Sequence, residues 1–145
     1  MSFSSPKPSK DSAFGIYLDY YTQRAGISQN TLANCARVNQ PWLNRLANGR
    51  IKDTSVAELV CLCLALRLNV DESKDLLARM ARTFSPAEPM HGVYLELIKE
   101  YHKKEIDYKK VTEISEFLVD ADNTLTSKGY PPLPSAERTP KEGSK

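Results

Sequence analysis

Residues 26–49, GISQNTLANCARVNQPWLNRLANG, constrain the fold of this chain more than any other stretch. They predict two short helices joined by a tight link at Ala36–Asn39. Ser28 and Asn39 are favourable N-cap residues, and Gly49 is a typical helix stop. Apolar spacing turns Leu43 and Leu46 of the second helix inward. The outward face of that helix is then formed by Gln40, Pro41, Asn44 and Arg45.

Apolar residues at helical spacing predict three more helices around this pair, and no stretch convincingly predicts a strand. The fourth helix opens on an S-x-x-E capping box, in which serine and glutamate satisfy each other's backbone N–H groups. The predicted bounds are Ala13–Arg24 with Asp11 or Ser12 as N-cap, Ser55 to about Leu68, and a helix capped by Asp71 that runs to about Phe84.

A proline-containing break at residues 85–89 precedes two further amphipathic helices. They are predicted at Val93–Tyr101 and Val111–Leu125, the second ending near Gly129, with a polar link around Lys104–Asp107. A short link implies an antiparallel hairpin, which is too small to fold alone. The fourth helix is apolar on nearly every side. Either the hairpin or a second subunit is therefore expected to cover its outer face, at Cys61, Leu64 and Leu68.

The sequence thus predicts an all-α protein, with a five-helix domain followed by a C-terminal helical hairpin. The two ends of the chain are rich in Ser, Pro and Lys, a composition typical of disorder. The predicted organisation is a disordered arm at residues 1–11, the five-helix domain at 12–85, the hairpin at 90–129 and a disordered tail at 130–145.

A net charge of +2 conceals a local basic region. Residues 20–52 contain no Asp or Glu, whereas residues 85–145 contain 9 Lys or Arg and 11 Asp or Glu. Such a region favours a polyanionic partner, although a solvated basic face would have the same composition. The cations of the acid-free stretch are Arg24, Arg37, Arg45, Arg50 and Lys52.

Several other classes of protein fit the sequence poorly. No apolar run approaches the roughly 18 residues of a membrane span, and the first ten residues lack the apolar core of an export signal. The odd number of cysteines suggests reduced thiols in the cytoplasm. Cys61 and Cys63 diverge on a helix, and Cys35 and both histidines are distant in sequence, so we expect no metal or other cofactor. No nucleophile–base arrangement indicates an enzyme.

The opening Ile27-Ser28-Gln29-x-x-Leu32-Ala33 and the close Leu46-x-Asn48-Gly49 resemble the lambda-repressor-like (Cro/repressor-type, XRE) helix-turn-helix family. The resemblance aligns without a gap over residues 26–49 and more loosely over about 14–84. It implies a five-helix DNA-binding domain whose third helix enters the major groove. The C-terminal 60 residues lie outside it.

Three departures from the family pattern accompany this resemblance. Arg37 stands in the turn where the family often has glycine, which has a cost if that residue needs a positive φ. Thr22 and Ala47 replace a common Arg–Glu pair, and losing both partners together leaves no unpaired buried charge. Pro41 and Trp42 replace small polar residues.

The resemblance also implies DNA contacts, residue by residue. Glutamine and arginine can pair bidentately with adenine and guanine respectively, while an apolar group can touch a thymine methyl. The expected base-contacting residues are Gln40, Pro41, Trp42, Asn44 and Arg45, although Trp42 could instead pack against the core. The expected phosphate-contacting residues are Ser28 and Gln29 at a helix N-terminus, with Asn48, Arg50 and Lys52.

The expected function is sequence-specific binding of double-stranded DNA by a cytoplasmic, repressor-like transcriptional regulator. We expect a homodimer, whose two recognition helices would lie about 34 Å apart on a pseudo-palindrome. The hairpin would serve dimerisation or cover the fourth helix. The alternative is an interaction adaptor that keeps the helix-turn-helix fold without reading DNA, with the fourth helix and the hairpin as its working surface. A variant of it is an antitoxin, which would bind both a toxin and its own operator.

Overall fold

The computed structural model describes residues 6–9, 12–111 and 116–136. All regular structure in these ranges is helical, which confirms the all-α prediction for this part of the chain. A 3-10 turn at Tyr108–Lys110 precedes the last helix. The helices are α1 (Phe14–Arg24), α2 (Gln29–Ala36), α3 (Gln40–Ala47), α4 (Val56–Ala65), α5 (Val70–Ala78), α6 (Pro89–His102) and α7 (Val119–Ser127).

The starts of α2, α3 and α4 agree with their capping signals. The side chains of Ser28 and Asn39 each accept the backbone N–H of the third helical residue, at 3.1 and 3.3 Å. Ser55 and Glu58 form the predicted capping box. These caps satisfy N–H groups that would otherwise lack an intrahelical partner.

The predicted bounds of α5 are wrong at both ends. Its N-cap is Asn69 rather than Asp71, because Asn69 accepts the N–H of Glu72 at 2.8 Å and donates its own N–H to that carboxylate at 3.1 Å. Asp71 lies inside the first turn, where a carboxylate interacts favourably with the positive end of the helix dipole. The helix ends at Ala78, well before Phe84, and the chain then turns through Ala81 at φ 57°.

Four other predicted bounds also differ. Helix α6 begins at Pro89, inside the predicted break and before the predicted start at Val93. The N-cap of α1 is Ala13, which makes no side-chain capping bond; Asp11 lies outside the described residues. Helix α4 ends at Ala65 instead of near Leu68. Helix α7 begins at Val119, later than the predicted start at Val111, and residues 112–115 lie outside the described ranges.

The outer face of α4 is covered by the chain itself. Helix α6 packs on α4, and α7 packs on α6. Cys61 and Leu64 are 0% exposed and Leu68 is 1% exposed. Buried side chains from both halves of the sequence form one apolar cluster. Of the two predicted covers, the C-terminal helices therefore fill the role, and α4 has no apolar face left for a second subunit.

Helices α1 and α3 approach each other closely at Gly15. A Cβ atom on Gly15 would lie 2.0 Å from the backbone oxygen of Ala47, the last residue of α3. Only glycine fits there without moving one helix. This contact fixes the C-terminal end of α3 against α1.

Part of each predicted disordered end is packed against the helices. Leu133 is 1% exposed and Ser135 is 3% exposed, so the packed chain continues past residue 130 instead of ending there. At the other end, the Tyr17 hydroxyl donates a hydrogen bond to the Pro8 carbonyl at 2.9 Å. Residues 1–5, 10–11 and 137–145 lie outside the described residues.

Candidate nucleic-acid interface

Helix α3 presents the polar face that its sequence predicts. Leu43 is 0% exposed and Leu46 is 1% exposed, which anchors the helix in the core. Pro41 lies in the first turn, where a missing N–H costs no intrahelical hydrogen bond. The side chains left exposed on α3 are Gln40, Pro41, Asn44 and Arg45.

Trp42 lies at the edge of this face and packs partly against the core. It is half-buried and belongs to the apolar side chains that contact the buried cluster. A partly exposed indole can hold α3 in place and still present an edge to a ligand. The structure therefore shows the partial core packing of Trp42, and its contact with a base stays a prediction.

A chain of side-chain amides connects α2 to the exposed face of α3. The Asn44 amide donates to the Gln29 side-chain oxygen at 3.4 Å. The Asn48 amide donates to the Asn44 side-chain oxygen at 3.0 Å. Gln29 is the first residue of α2, so the chain joins an expected phosphate contact to an expected base contact. These bonds hold the Asn44 amide in one orientation.

Three cations of the acid-free stretch stay exposed. We call Arg45, Arg50 and Lys52 the outer cations. None of them forms an ion pair with any residue in the described part of the chain. Their charge is therefore directed to solvent on and just beyond α3.

The other two cations, Arg24 and Arg37, are bound to carboxylates from later in the sequence; we call them the paired cations. Arg24 forms a bidentate pair with Glu72, at 2.7 and 3.1 Å. Arg37 forms one with Asp122, at 2.7 and 3.0 Å. The Arg37 side chain is 4% exposed and that of Arg24 is 34% exposed. Arg37 is too deeply buried to touch a nucleic acid.

The N-terminus of α2 borders the same surface. Ser28 is exposed and caps the helix, and Gln29 follows it half-buried. The uncapped N–H groups of a first helical turn favour an anionic group such as phosphate. Because Gln29 contacts Asn44, this helix end lies beside the polar face of α3.

The chain leaves α3 by a sharp left-handed turn. Gly49 has φ 77°, and the backbone N–H of Arg50 donates to the Arg45 carbonyl at 2.9 Å. Asn48, Arg50 and Lys52 are all exposed in or after this turn. The structure thus brings all five expected phosphate-contacting residues to the two helix ends that flank the exposed face.

The cysteines lie in the core, away from this surface. Burial raises the pKa of the Cys35, Cys61 and Cys63 thiols to about 12, so they are protonated at neutral pH. Among the described residues, no group of three His, Cys, Asp or Glu side chains could hold a metal ion. No helix in the described chain is long and apolar enough to cross a bilayer.

The sequence did not predict how the polar residues are coupled. The pairing of Asn44 with Asn48 could have been inferred from their i, i+4 spacing on one face. The partners of the paired cations lie 48 and 85 residues away, and no local pattern indicates such contacts.

Comparison of this chain with protein-family models, with curated proteins and with solved structures finds no match.

Proposed function

We propose that this chain binds double-stranded DNA in a sequence-specific way, as a regulator of transcription with a lambda-repressor-like helix-turn-helix domain formed by α1–α5. One observation carries the proposal: the exposed polar face of α3 lies beside three cations that no carboxylate of the described chain neutralises. A basic surface beside a short exposed helix suits the major groove, which admits one α-helix and is lined by phosphates.

Base recognition falls to four side chains of α3. Arg45 can bind guanine bidentately and Gln40 can bind adenine, each contributing about 1–3 kcal/mol of discrimination. Pro41 supplies apolar contact for a thymine methyl group. Asn44 is oriented by its amide neighbours before DNA arrives, which lowers the entropy cost of its contact.

Phosphate contact falls to the two helix ends. The first turn of α2, with Ser28 and Gln29, offers N–H groups and an amide to one phosphate. Asn48, Arg50 and Lys52 follow α3 and can reach the backbone on the other side of the groove. These contacts would set the position of α3 without reading sequence.

The homodimer remains a prediction, and it needs a surface other than α4. Ile16, 54% exposed, is the most exposed large apolar side chain of the described chain, ahead of Val119 at 39%. Ile16 borders a groove of about 630 Å³ that also has the apolar side chains of Phe14 and Met80 on its lining. A twofold contact places one patch against its own copy, so an apolar patch of this kind can pair with itself.

Sedimentation of the full chain without DNA tests this dimer surface. Ile16→Glu should give a monomer at concentrations where the wild type is a dimer, and Val119→Glu, at the other exposed apolar site, should leave the dimer intact. A wild type that stays monomeric at high concentration, or a dimer lost only in the Val119 variant, would exclude this surface.

The DNA-binding proposal is tested by selecting duplexes from a random double-stranded library at physiological salt. We expect a recurrent motif, and Arg45→Ala should weaken binding to it by roughly 5- to 150-fold. Lys128→Ala, at an exposed cation after α7, should leave that affinity unchanged. Equal affinity for selected and scrambled duplexes, or binding only at low salt, would contradict the proposal.

The adaptor alternative loses part of its expected surface. It relied on an apolar outer face of α4 and on the hairpin, yet that face is buried under α6. The antitoxin variant also binds DNA, so it stays a prediction beside the proposal.

A further inference from the structure

The turn between α2 and α3 is made by a residue that does not suit its backbone conformation. Arg37 has φ 59° and ψ 40°, the left-handed region that usually falls to glycine at a helix end. Glycine takes that conformation after α1, α3 and α7, at Gly26, Gly49 and Gly129. An arginine at this position has a conformational cost, as do Arg67 after α4 and Ala81 after α5, and at Arg37 the contacts of a buried side chain help to offset it.

The C-terminal segment holds Arg37 through both its side chain and its backbone. The guanidinium makes its bidentate pair with Asp122 of α7. The carbonyl of Arg37 accepts the backbone N–H of Ala136 at 2.8 Å. Asp122 also accepts the N–H of Leu133 at 2.9 Å, so one carboxylate fixes both the turn and the segment that follows α7.

The segment after α7 is itself anchored beside α4. Leu133 is buried, and the Cys61 thiol lies 3.7 Å from the Pro134 carbonyl in hydrogen-bonding geometry. Residues 133–136 therefore form a strap that runs from the core to the turn. Helix α7, the strap and the α2–α3 turn hold one another in place.

We infer that Asp122 is a positioning residue for DNA recognition, which acts through Arg37 to fix how α3 is presented by α2. The buried Arg37 cannot contact DNA, so its effect on recognition is exerted through the turn. The C-terminal segment then sets the specificity of a helix that lies more than 70 residues before it. This inference rests on the proposed DNA-binding function.

Asp122→Asn in the full chain tests the inference, because it keeps the size of the side chain and removes its charge. Glu72→Gln is the matched control, since it breaks the other bidentate pair, between α1 and α5, far in sequence from the turn. The affinity of each variant is measured for the selected duplex and for a scrambled duplex of the same length.

The expected result is a loss of discrimination in one variant only. Asp122→Asn should reduce the ratio of the two affinities by roughly 2- to 30-fold. Glu72→Gln should leave that ratio unchanged, even if its midpoint of thermal unfolding falls. Equal effects of the two variants on the ratio, or no effect of Asp122→Asn, would overturn the inference.

Hydrogen exchange separates this inference from the proposed function, because it needs no DNA. Asp122→Asn should speed exchange of the backbone amides from the end of α2 through α3 beyond the change seen in Glu72→Gln. Equal exchange would again contradict a positioning role. A wild type that selects no duplex would contradict DNA binding, while the exchange result would still decide whether Asp122 holds α3.

Ala136→Pro provides a second variant in case Asp122→Asn does not fold. It removes the N–H that binds the Arg37 carbonyl, at an exposed residue, and leaves the Asp122 carboxylate in place. We expect the same local increase in exchange across the turn, smaller in size. Unchanged exchange there would show that the strap does not restrain the turn.

Discussion

The five cations between residues 20 and 52 fall into two regions with opposite environments. The paired cations, Arg24 at the end of α1 and Arg37 in the turn between α2 and α3, bind carboxylates of α5 and α7. The outer cations lie on or just after α3 and have no such partner among the described residues. Cations of one basic stretch thus have two tasks: two hold the fold together and three are available to a ligand.

This division changes what the charge pattern means. An acid-free stretch suggests a basic surface formed by all its cations, but Glu72 and Asp122 neutralise two of them from outside it. Removing an exposed cation should lower the affinity for an anionic ligand, whereas removing a buried, paired cation should lower the free energy of unfolding. Changes at Arg37 and Glu72 test the paired cations, and changes at Gly15 and Ala81 test the helix contact and the turn conformation.

The largest expected loss of stability comes from Arg37→Ala. Removing the guanidinium leaves Asp122 buried without its charge partner, which costs about 3–5 kcal/mol. Alanine at position 37 would have the same conformational cost at positive φ, because it also has a Cβ atom. Urea denaturation should show a much smaller loss for Arg24→Ala, whose pair is more exposed. An equal loss in both variants would mean that burial does not distinguish the two pairs.

Gly15→Ala should displace the helix that carries Arg45. Its Cβ would meet the Ala47 backbone oxygen, and overpacking of this kind costs about 1–3 kcal/mol. Gly92→Ala is the control, because Gly92 lies in α6 with no atom within 4 Å of a new Cβ. That variant should gain about 0.5–1 kcal/mol from helix propensity. Unfolding midpoints that move in the same direction would refute the close approach of α1 and α3.

Ala81→Gly should stabilise the chain by about 0.5–1 kcal/mol. Ala81 has φ 57° after α5 and is exposed, so glycine relieves the left-handed conformation without losing a side-chain contact. Arg37→Gly relieves the same conformation but also breaks a buried ion pair, and it should destabilise. Changes of opposite sign in the free energy of unfolding, measured by chemical denaturation, would show that contacts of the Arg37 side chain stabilise its left-handed conformation.

The smallest expected effect concerns pH. Burial tends to raise the pKa of Glu72, but hydrogen bonds from Arg24 and from the Asn69 backbone lower it on balance below its ordinary value of 4.5. A depressed pKa contributes stability above the unfolded value, and this contribution disappears as the pH falls through the folded value. The difference in unfolding free energy between wild type and Glu72→Gln should therefore shrink below pH 4.5. A constant difference would contradict the shift.

Local signals in the sequence predicted much of the helical layout. The capping box of Ser55 and Glu58 and the caps at Ser28 and Asn39 lie where expected, because each depends on residues three apart. Asn69 was missed as a cap because Asp71 is also a good capping residue. Glu72, three residues after Asn69, completes the capping box that distinguishes them.

Features that depend on distant residues could not be predicted. The burial of Leu133 and the pairing of Asp122 with Arg37 depend on how α7 packs, which no local pattern encodes. The exposed face of α3 was predictable, since it follows from the inward spacing of Leu43 and Leu46. Which of the five cations remain available could not be predicted, because the carboxylates that neutralise Arg24 and Arg37 lie outside residues 20–52.

The salt dependence of DNA affinity tests the central claim most directly. Fluorescence anisotropy on the selected duplex gives the slope of log affinity against log salt concentration, which counts phosphate contacts at about 0.9 per contact. The double variant Arg50→Ala/Lys52→Ala should lower the magnitude of that slope by about 2, while Arg24→Ala should leave it unchanged. A slope that is the same in the wild type and the double variant would contradict the assignment of DNA binding to the outer cations.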